Sequence, residues 1–121
     1  MPTCNCTLCK RARVARDFAD VALLDAIIAE VALTYHLTRP RLLSKRRTSH
    51  IALARQIGFY LSREMTHLTL HTIGDLWMKD HSTIVHGHQA IARRIVASPQ
   101  FGQGVAELRR SIEGATRQVA T

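Results

Sequence analysis

The fold is decided by the stretch Asp80-His81-Ser82-Thr83-Ile84-Val85-His86, which follows Leu70-His71-Thr72-Ile73-Gly74-Asp75-Leu76-Trp77. The two segments predict a short helix, a tight turn and a second helix that opens with polar side chains. A helix-turn-helix presents base-reading groups to the major groove in this way. A carboxylate can accept from cytosine N4, hydroxyls can donate or accept, and a threonine methyl can contact a thymine methyl. We therefore look for function first at residues 80–86.

The basic charge of the chain is concentrated in one window. Lysine and arginine total 17 against 9 acidic residues, which gives a formal net charge of +8. No acidic residue lies between Glu30 and Glu64, whereas this window holds Arg39, Arg41, Lys45, Arg46, Arg47, Arg55 and Arg63. Such clustering favours a polyanionic partner. The alternative is a scattered charged surface that only keeps the protein soluble.

The first half of the chain has a helical period. Apolar residues recur at spacings of three and four from Val14 to Tyr35, which predicts one long amphipathic helix with Phe18 and Val21 on its apolar stripe. Pro40 suits the first position of a short second helix. The basic run at residues 44–49 predicts an exposed connection, in which Thr48 or Ser49 can cap the central helix that follows. On this helix, Arg55 and Arg63 lie off the apolar stripe, so their guanidinium groups are expected to reach solvent or phosphate.

The second half continues the pattern. Thr69 can cap the short helix that ends at Trp77, and Trp77 is expected in the core beneath the helix pair rather than as a stacking platform. The recognition helix should bury Val96 among others and end at Ser98-Pro99, because the residue before a proline is pushed out of the helical region. A last amphipathic segment follows. The sequence thus predicts an all-α, helix-turn-helix domain of about six helices over residues 14–121, preceded by a cysteine-containing basic tail over residues 1–13.

Three cysteines lie close together at the amino end. Cys4, Cys6 and Cys9 are an odd number with no later cysteine to pair with, which excludes a disulfide framework. Three thiolates could supply most of a zinc site, although no nearby fourth ligand is evident. The competing interpretation is a tail with free thiols. The histidines elsewhere match no zinc motif, so we expect no cofactor, with zinc at these cysteines as the alternative.

Several function classes find no support in the sequence. No apolar run is long enough to span a bilayer and no secretory signal is present, so we expect a cytoplasmic protein. No phosphate-binding loop and no nucleophile or paired-carboxylate arrangement stands out. We therefore expect a binding module rather than an enzyme, without the ATPase activity that such a loop would indicate.

Two motifs carry a resemblance to a known family. Leu42-Leu43-Ser44-Lys45-Arg46-Arg47, followed by Ala54-Arg55-Gln56, resembles the L-L-S-K-R-R element of the carboxy-terminal DNA-binding domain of the replication initiator DnaA. Ile73-Gly74-Asp75 and the segment at residues 80–86 resemble the I-G-D and D-H-T-T-V-x-H signature of the same domain. The matching core covers residues 31–97. The resemblance implies the DnaA domain IV fold, which is also like that of the Trp repressor, here as a stand-alone protein.

The resemblance also implies roles for individual residues. Asp80, His81, Ser82 and Thr83 would contact base edges in the major groove, and Asp80 can cap its helix as well. Arg47, with Arg46, would enter the neighbouring minor groove. Arg55, Gln56 and Arg63 match positions that hold phosphates or steady the docking. Lys79 stands where the family usually has arginine and would contact the backbone or a base edge, without the planar fork of arginine.

The chain departs from the family pattern in the turn. Between Asp75 and Asp80 the family usually has one more residue and a glycine pair, whereas this chain has Leu76-Trp77-Met78-Lys79. Ser82 replaces a threonine and loses its methyl, and His71 stands where proline is common. Leu53-Ala54 replaces an Arg-Pro pair.

The first hypothesis is a nucleoid-associated protein that binds double-stranded DNA at DnaA-box-like sites and regulates replication initiation or transcription. The second hypothesis is an adaptor that keeps the fold but acts through contacts with the initiator or with another replication or transcription factor.

Overall fold

A computed structural model describes the backbone of residues 7–119 and the side chains of residues 17–116. Its six helices are α1 Thr7–Thr34, α2 Arg39–Leu43, α3 Ser49–Met65, α4 Leu70–Trp77, α5 His81–Ala97 and α6 Pro99–Val119. No strand occurs between residues 7 and 119. The predicted all-α class with about six helices is confirmed. Cys4 and Cys6, and the side chain of Cys9, lie outside the described part of the chain, so the thiol and zinc alternatives stay predictions.

Most helix ends follow the sequence signals, although Thr48 at the N-cap of α3 makes no capping hydrogen bond with its side chain. Helix α2 contains Pro40 in its first turn, and the hydroxyl of Thr38 caps it by accepting from the Arg41 amide at 3.3 Å. Thr69 caps α4 by accepting from the Thr72 amide at 3.2 Å. Helix α5 ends at Ala97, directly before the predicted stop at Ser98-Pro99. Helix α1 differs, because it begins at Thr7 instead of Val14.

Helix α3 occupies the centre of the molecule. It packs along α5 and against α1, α2 and α4, while α6 closes the core against α1 and α5. Fully buried side chains from five helices meet there: Leu24, Ile27 and Ile28 of α1, Phe59 and Leu61 of α3, Ile73 and Trp77 of α4, Ile84 and Ile91 of α5, and Ile112 of α6. This core fixes α4 and α5 against one rigid support.

Two parts of the predicted core are wrong. Phe18 and Val21 are 76% and 37% exposed, because their part of α1 lies beyond the stretch from Leu24 onward that packs into the core. Val96 is 85% exposed. Its neighbour Ile95 packs against the core, and consecutive helical residues point about 100° apart.

Between residues 7 and 119, none of the helices combines the length and apolar character that a membrane crossing requires.

Candidate nucleic-acid interface

The turn between α4 and α5 is tight and contains no glycine at its left-handed position. Met78 adopts φ 59° and ψ 42°. The Met78 amide donates to the Asp75 carbonyl at 3.2 Å and the Lys79 amide donates to the Gly74 carbonyl at 2.8 Å. This pair of bonds is a Schellman motif, in which glycine is the usual residue at the left-handed position. The shortened turn therefore closes with regular hydrogen bonds although methionine occupies that position.

Gly74 permits the close approach of the chain after the turn. A Cβ atom at this position would lie 2.6 Å from the Lys79 carbonyl oxygen and 3.5 Å from the His81 amide nitrogen. The first distance is shorter than van der Waals contact allows. The glycine of the Ile73-Gly74-Asp75 motif is therefore required because a side chain at this position would clash with the chain at the start of α5, and not because of an unusual φ.

Helix α4 is fixed to α3 by Trp77. Its indole Nε1 donates to the Ser62 hydroxyl at 2.9 Å, and this hydroxyl donates to the Gly58 carbonyl at 2.7 Å. The indole lies against Gly58 and meets Phe59 edge-on at a centroid distance of 5.1 Å. The expectation that Trp77 is a core residue is confirmed by its complete burial. The end of the first helix of the motif is therefore rigidly positioned.

The first turn of α5 faces outward. Asp80 occupies the N-cap position with φ −66° and ψ 149°, but its side chain makes no capping hydrogen bond. The carboxylate therefore stays available. His81, Ser82 and Thr83 are also exposed, whereas the next residue, Ile84, is fully buried. Burial of Ile84 sets the rotation of the helix, which turns Ser82 and Thr83 away from the core.

The basic loop, residues 44–48, connects α2 to α3 and carries the exposed side chains of Arg46 and Arg47. Arg55 of α3 binds main-chain carbonyls of this loop and of the preceding α2. Its Nε donates to the Leu42 carbonyl at 2.9 Å, and its Nη2 donates to the carbonyls of Ser44 at 2.6 Å and Arg46 at 3.1 Å. Burial lowers the pKa of Arg55 from its ordinary value.

The prediction that the Arg55 guanidinium reaches solvent or a phosphate is wrong for its Nε and Nη2 atoms. The side chain is only 8% exposed, and three of its hydrogen bonds go to main-chain carbonyls of the same protein. A buried guanidinium needs partners for its donors, and the irregular backbone of the loop supplies them. Arg55 therefore contacts the loop that carries the exposed arginines.

Lys79 connects the turn to the same loop. Its Nζ donates to the Leu43 carbonyl at 3.0 Å. Desolvation lowers the pKa of Lys79, and the positive charges of Arg55 and Lys45 lower it further. These three cations lie close enough to repel one another, so an anion that enters the space between them would be attracted by all three.

A cleft of about 650 Å³ separates the basic loop from the start of α5. It is lined by Lys45, Arg47, Arg55, Gly74, Asp75, Met78, Lys79, Asp80 and Thr83. The structure thus brings Arg47, Lys79, Asp80 and Thr83 to one surface, next to the exposed side chains of Arg46, His81 and Ser82. Gln56 is half-buried beside Gly87 of α5, and Arg63 is exposed in the last turn of α3. Neither Gln56 nor Arg63 lines the cleft.

Some residues of the surface were not singled out by the sequence. Lys45 and Asp75 line the cleft. In the sequence, Lys45 is only one member of the basic run, and Asp75 is only one member of the Ile73-Gly74-Asp75 motif. His71, at the start of α4, lies beside His81, with ring centroids 5.1 Å apart. No periodicity reports this contact, because it depends on the angle at which α4 meets α5.

The sequence of this chain is similar to known proteins over this same region. The family model described as bacterial dnaA protein helix-turn-helix matches residues 24–91. The chain is 36% identical over 85 residues to the chromosomal replication initiator protein DnaA of Caldanaerobacter subterraneus subsp. tengcongensis and to that of Thermoanaerobacter pseudethanolicus. Each alignment covers 70% of this chain and 19% of the relative, so the chain spans about a fifth of these proteins. From the helix-turn-helix geometry and these matches, the chain belongs to the DnaA family of DNA-binding helix-turn-helix domains.

Proposed function

We propose that this chain binds double-stranded DNA at DnaA-box-like sequences and thereby regulates replication initiation or transcription. The observation that carries the proposal is the juxtaposition of two different reading elements at one cleft. The outward first turn of α5 supplies groups that match base edges, and the basic loop beside it supplies arginines. Such a protein acts in the cytoplasm, at the nucleoid, and as a binding module it needs no catalytic residue.

The geometry suits insertion of α5 into the major groove. Asp80 can accept from cytosine N4 because no capping bond occupies its carboxylate, and Thr83 offers both a hydroxyl and a methyl to a base pair. With α5 in this groove, the phosphate backbone passes the cleft, where Lys79 and Lys45 lie. Arg47 and Arg46 then reach the adjacent minor groove, where an arginine reads width and potential.

The departures from the family pattern limit the expected strength of the contacts. Ser82 supplies a hydroxyl but no methyl, so it contributes less to thymine recognition than threonine would. Lys79 donates one of its hydrogen bonds to Leu43, and the remaining donors form a point contact to a phosphate. We propose that Gln56 and Arg63, which lie outside the cleft, contact the flanking phosphates.

A titration of duplex DNA tests the proposal. Fluorescently labelled duplexes that contain a DnaA box, a scrambled box or a box with single-base changes are titrated with protein at physiological salt. The box should bind at least tenfold more tightly than the scrambled duplex, and an Arg47→Ala variant should lose about 1–3 kcal/mol on the box only. Equal Kd values for box and scrambled duplex would refute sequence recognition.

A second candidate function, an adaptor that binds the initiator or another replication or transcription protein, is favoured by a different surface. A groove of about 310 Å³, mostly apolar, is lined by residues of α1 such as Phe18 and Val21, by Leu76 of α4 and, at the ion pair of Asp25 with Arg39, by α2, and by no residue of the basic loop. Native mass spectrometry with purified DnaA tests it. A complex that Phe18→Ser abolishes, while box binding is unchanged, would support the adaptor function.

A further inference from the structure

The carbonyls of the basic loop and of the α2 turn before it are bound by two cations from other elements. Arg55 of α3 donates to the carbonyls of Leu42, Ser44 and Arg46, at distances from 2.6 to 3.1 Å. Lys79 of the helix-turn-helix turn donates to the carbonyl between them, that of Leu43, at 3.0 Å. Four carbonyls within five residues are therefore held by side chains that belong to the support of α5.

This arrangement is unusual for an exposed connection. Such segments usually leave many carbonyls to water, and the main chain keeps its mobility. Here the loop also has internal bonds, because the Ser44 hydroxyl donates to the Arg41 carbonyl at 2.6 Å and accepts from the Arg46 amide at 3.3 Å. Each bond removes freedom from the segment that carries Arg46 and Arg47.

The same arrangement decides what Arg55 can do when DNA is bound. A guanidinium has five N–H donors in a fixed planar fork. Three bonds of Arg55 point to the loop from a side chain that is 8% exposed, so a phosphate could gain its Nε and Nη2 donors only if the loop released them. Release would free the segment that presents Arg47. Binding a phosphate in this way and presenting Arg47 therefore exclude each other.

We infer that Arg55 is a positioning residue for DNA recognition: it fixes the basic loop so that Arg47 is held in register with α5, and it contributes to affinity through Arg47. Lys79 adds a second attachment from the turn. The two reading elements then act as one preorganised unit, and little ordering is needed when DNA binds. This inference rests on the proposed function for its DNA part, but its structural part does not need DNA.

The structural part is tested on the free protein. Backbone ¹⁵N relaxation is measured for residues 44–48 in the wild type, in Arg55→Lys and in Arg55→Gln. Wild-type order parameters should be close to those of a helix, about 0.85, and should fall toward 0.6 in both variants. Lysine lacks the planar fork that spans the three carbonyls, and glutamine has only two N–H donors. Unchanged order parameters in both variants would overturn the inference, whatever the protein does with DNA.

The functional part is tested with a double-mutant cycle on box DNA. Arg55→Lys keeps the charge, so a phosphate contact would largely survive it, whereas positioning would not. We expect Arg55→Lys to lose most of the affinity that Arg47→Ala loses, roughly tenfold or more, and the double variant to lose little beyond either single one. Losses that multiply in the double variant, or an Arg55→Lys variant with wild-type affinity, would contradict positioning.

Two controls separate the outcomes. Arg93→Lys and Arg93→Gln make matched changes at an exposed arginine in the distal part of α5, and they should leave both the loop order parameters and box affinity unchanged. If the wild type fails to distinguish box from scrambled duplex, the proposed function fails, and the relaxation data alone decide the role of Arg55. If both Arg55 variants lose their helical circular dichroism, the wild type decides, because order parameters of about 0.6 or lower in residues 44–48 of the free wild type would overturn the inference.

Discussion

At the scale of single residues, Asp80 allows helix capping and DNA contact to be distinguished, two roles that an N-cap carboxylate can serve together. A carboxylate at the N-cap usually accepts from the amides of its own helix, but the Asp80 side chain makes no such bond. We therefore expect Asp80→Ala to cost about 1–3 kcal/mol in binding to a DnaA box and little on scrambled DNA. Isothermal titration of both duplexes measures the difference.

Thr69 provides the matched control for stability. Its hydroxyl does cap α4, so Thr69→Ala should lower the free energy of unfolding by about 1 kcal/mol, whereas Asp80→Ala should lower it by clearly less. Urea denaturation gives both values. An Asp80→Ala variant that is as destabilised as Thr69→Ala, and that binds the box like the wild type, would assign Asp80 to capping alone.

Lys79 makes a prediction about pH. Its pKa is lowered in the free protein by desolvation and by Arg55 and Lys45, and a bound phosphate would raise it again, because an anion favours the charged amine. Below both values the amine is charged in both states, so pH has no effect. As pH rises from the free-state value toward that of the complex, binding must take up a proton and affinity falls.

We therefore expect box affinity to decrease in the alkaline range that begins below the ordinary lysine value of 10.5. A series of binding titrations at constant ionic strength measures this decrease. Lys79→Arg is the control, because arginine does not titrate there. A wild type whose affinity follows the same pH profile as Lys79→Arg would show that the Lys79 amine does not contact a phosphate.

At the scale of elements, the α4–α5 turn contains backbone strain that one substitution can remove. A left-handed residue other than glycine costs about 1–2 kcal/mol, part of which glycine would lose again as chain entropy. Met78 is 71% exposed, so little packing is lost with its side chain. Met78→Gly should therefore raise the free energy of unfolding by about 0.5–1 kcal/mol, measured by urea denaturation. Met78→Ala keeps the strain and should not raise the free energy of unfolding. Equal free energies of unfolding for Met78→Gly and Met78→Ala would contradict this reasoning.

The contact of α3 with α4 makes the opposite prediction for a different glycine. A Cβ atom on Gly58 would lie 2.3 Å from Cη2 of the buried Trp77 ring, so Gly58→Ala should destabilise the fold by about 1–3 kcal/mol. A Cβ atom on Gly104 of α6 would have nothing within 4 Å, so Gly104→Ala should stabilise the fold by about 0.5–1 kcal/mol. Thermal unfolding of both variants measures this contrast. A neutral Gly58→Ala would show that α4 can move away without cost.

The elements also show how far the sequence predicts this structure. The order of the helices, the cap at Thr69 and the stop before Pro99 follow from local signals, because capping and proline geometry act within a few residues. The outward face of α5 follows from its period. The exposure of Phe18 does not, since an apolar stripe predicts a buried face only where another element is present to cover it.

The site was predictable in part for the same reason. The motifs place Asp80, Thr83 and Arg47 near one another, and the structure has them at one cleft. The direction of the Arg55 guanidinium depends on where the loop carbonyls point, and no side-chain pattern encodes that. The same holds for the bond from Lys79 to Leu43 and for the pairing of His71 with His81.

At the scale of the whole molecule, the charge of +8 predicts how binding responds to salt. If the interface neutralises about six phosphates, log K should fall with log salt at a slope of about −5. Titrations between low and physiological salt measure it, and both box and scrambled duplexes should show a steep slope because phosphates carry no sequence information. A slope near zero would contradict an electrostatic interface.

The burial of Trp77 has a practical consequence. It is the one tryptophan of the chain, it is fully enclosed, and its indole is bonded to Ser62 at the joint between α3 and α4. Its fluorescence should be blue-shifted while this joint is closed and should move to the red as soon as water reaches the ring. The ring thus reports on this joint without any label, and a red shift that precedes the loss of helical circular dichroism would show that α4 detaches before the remaining helices melt.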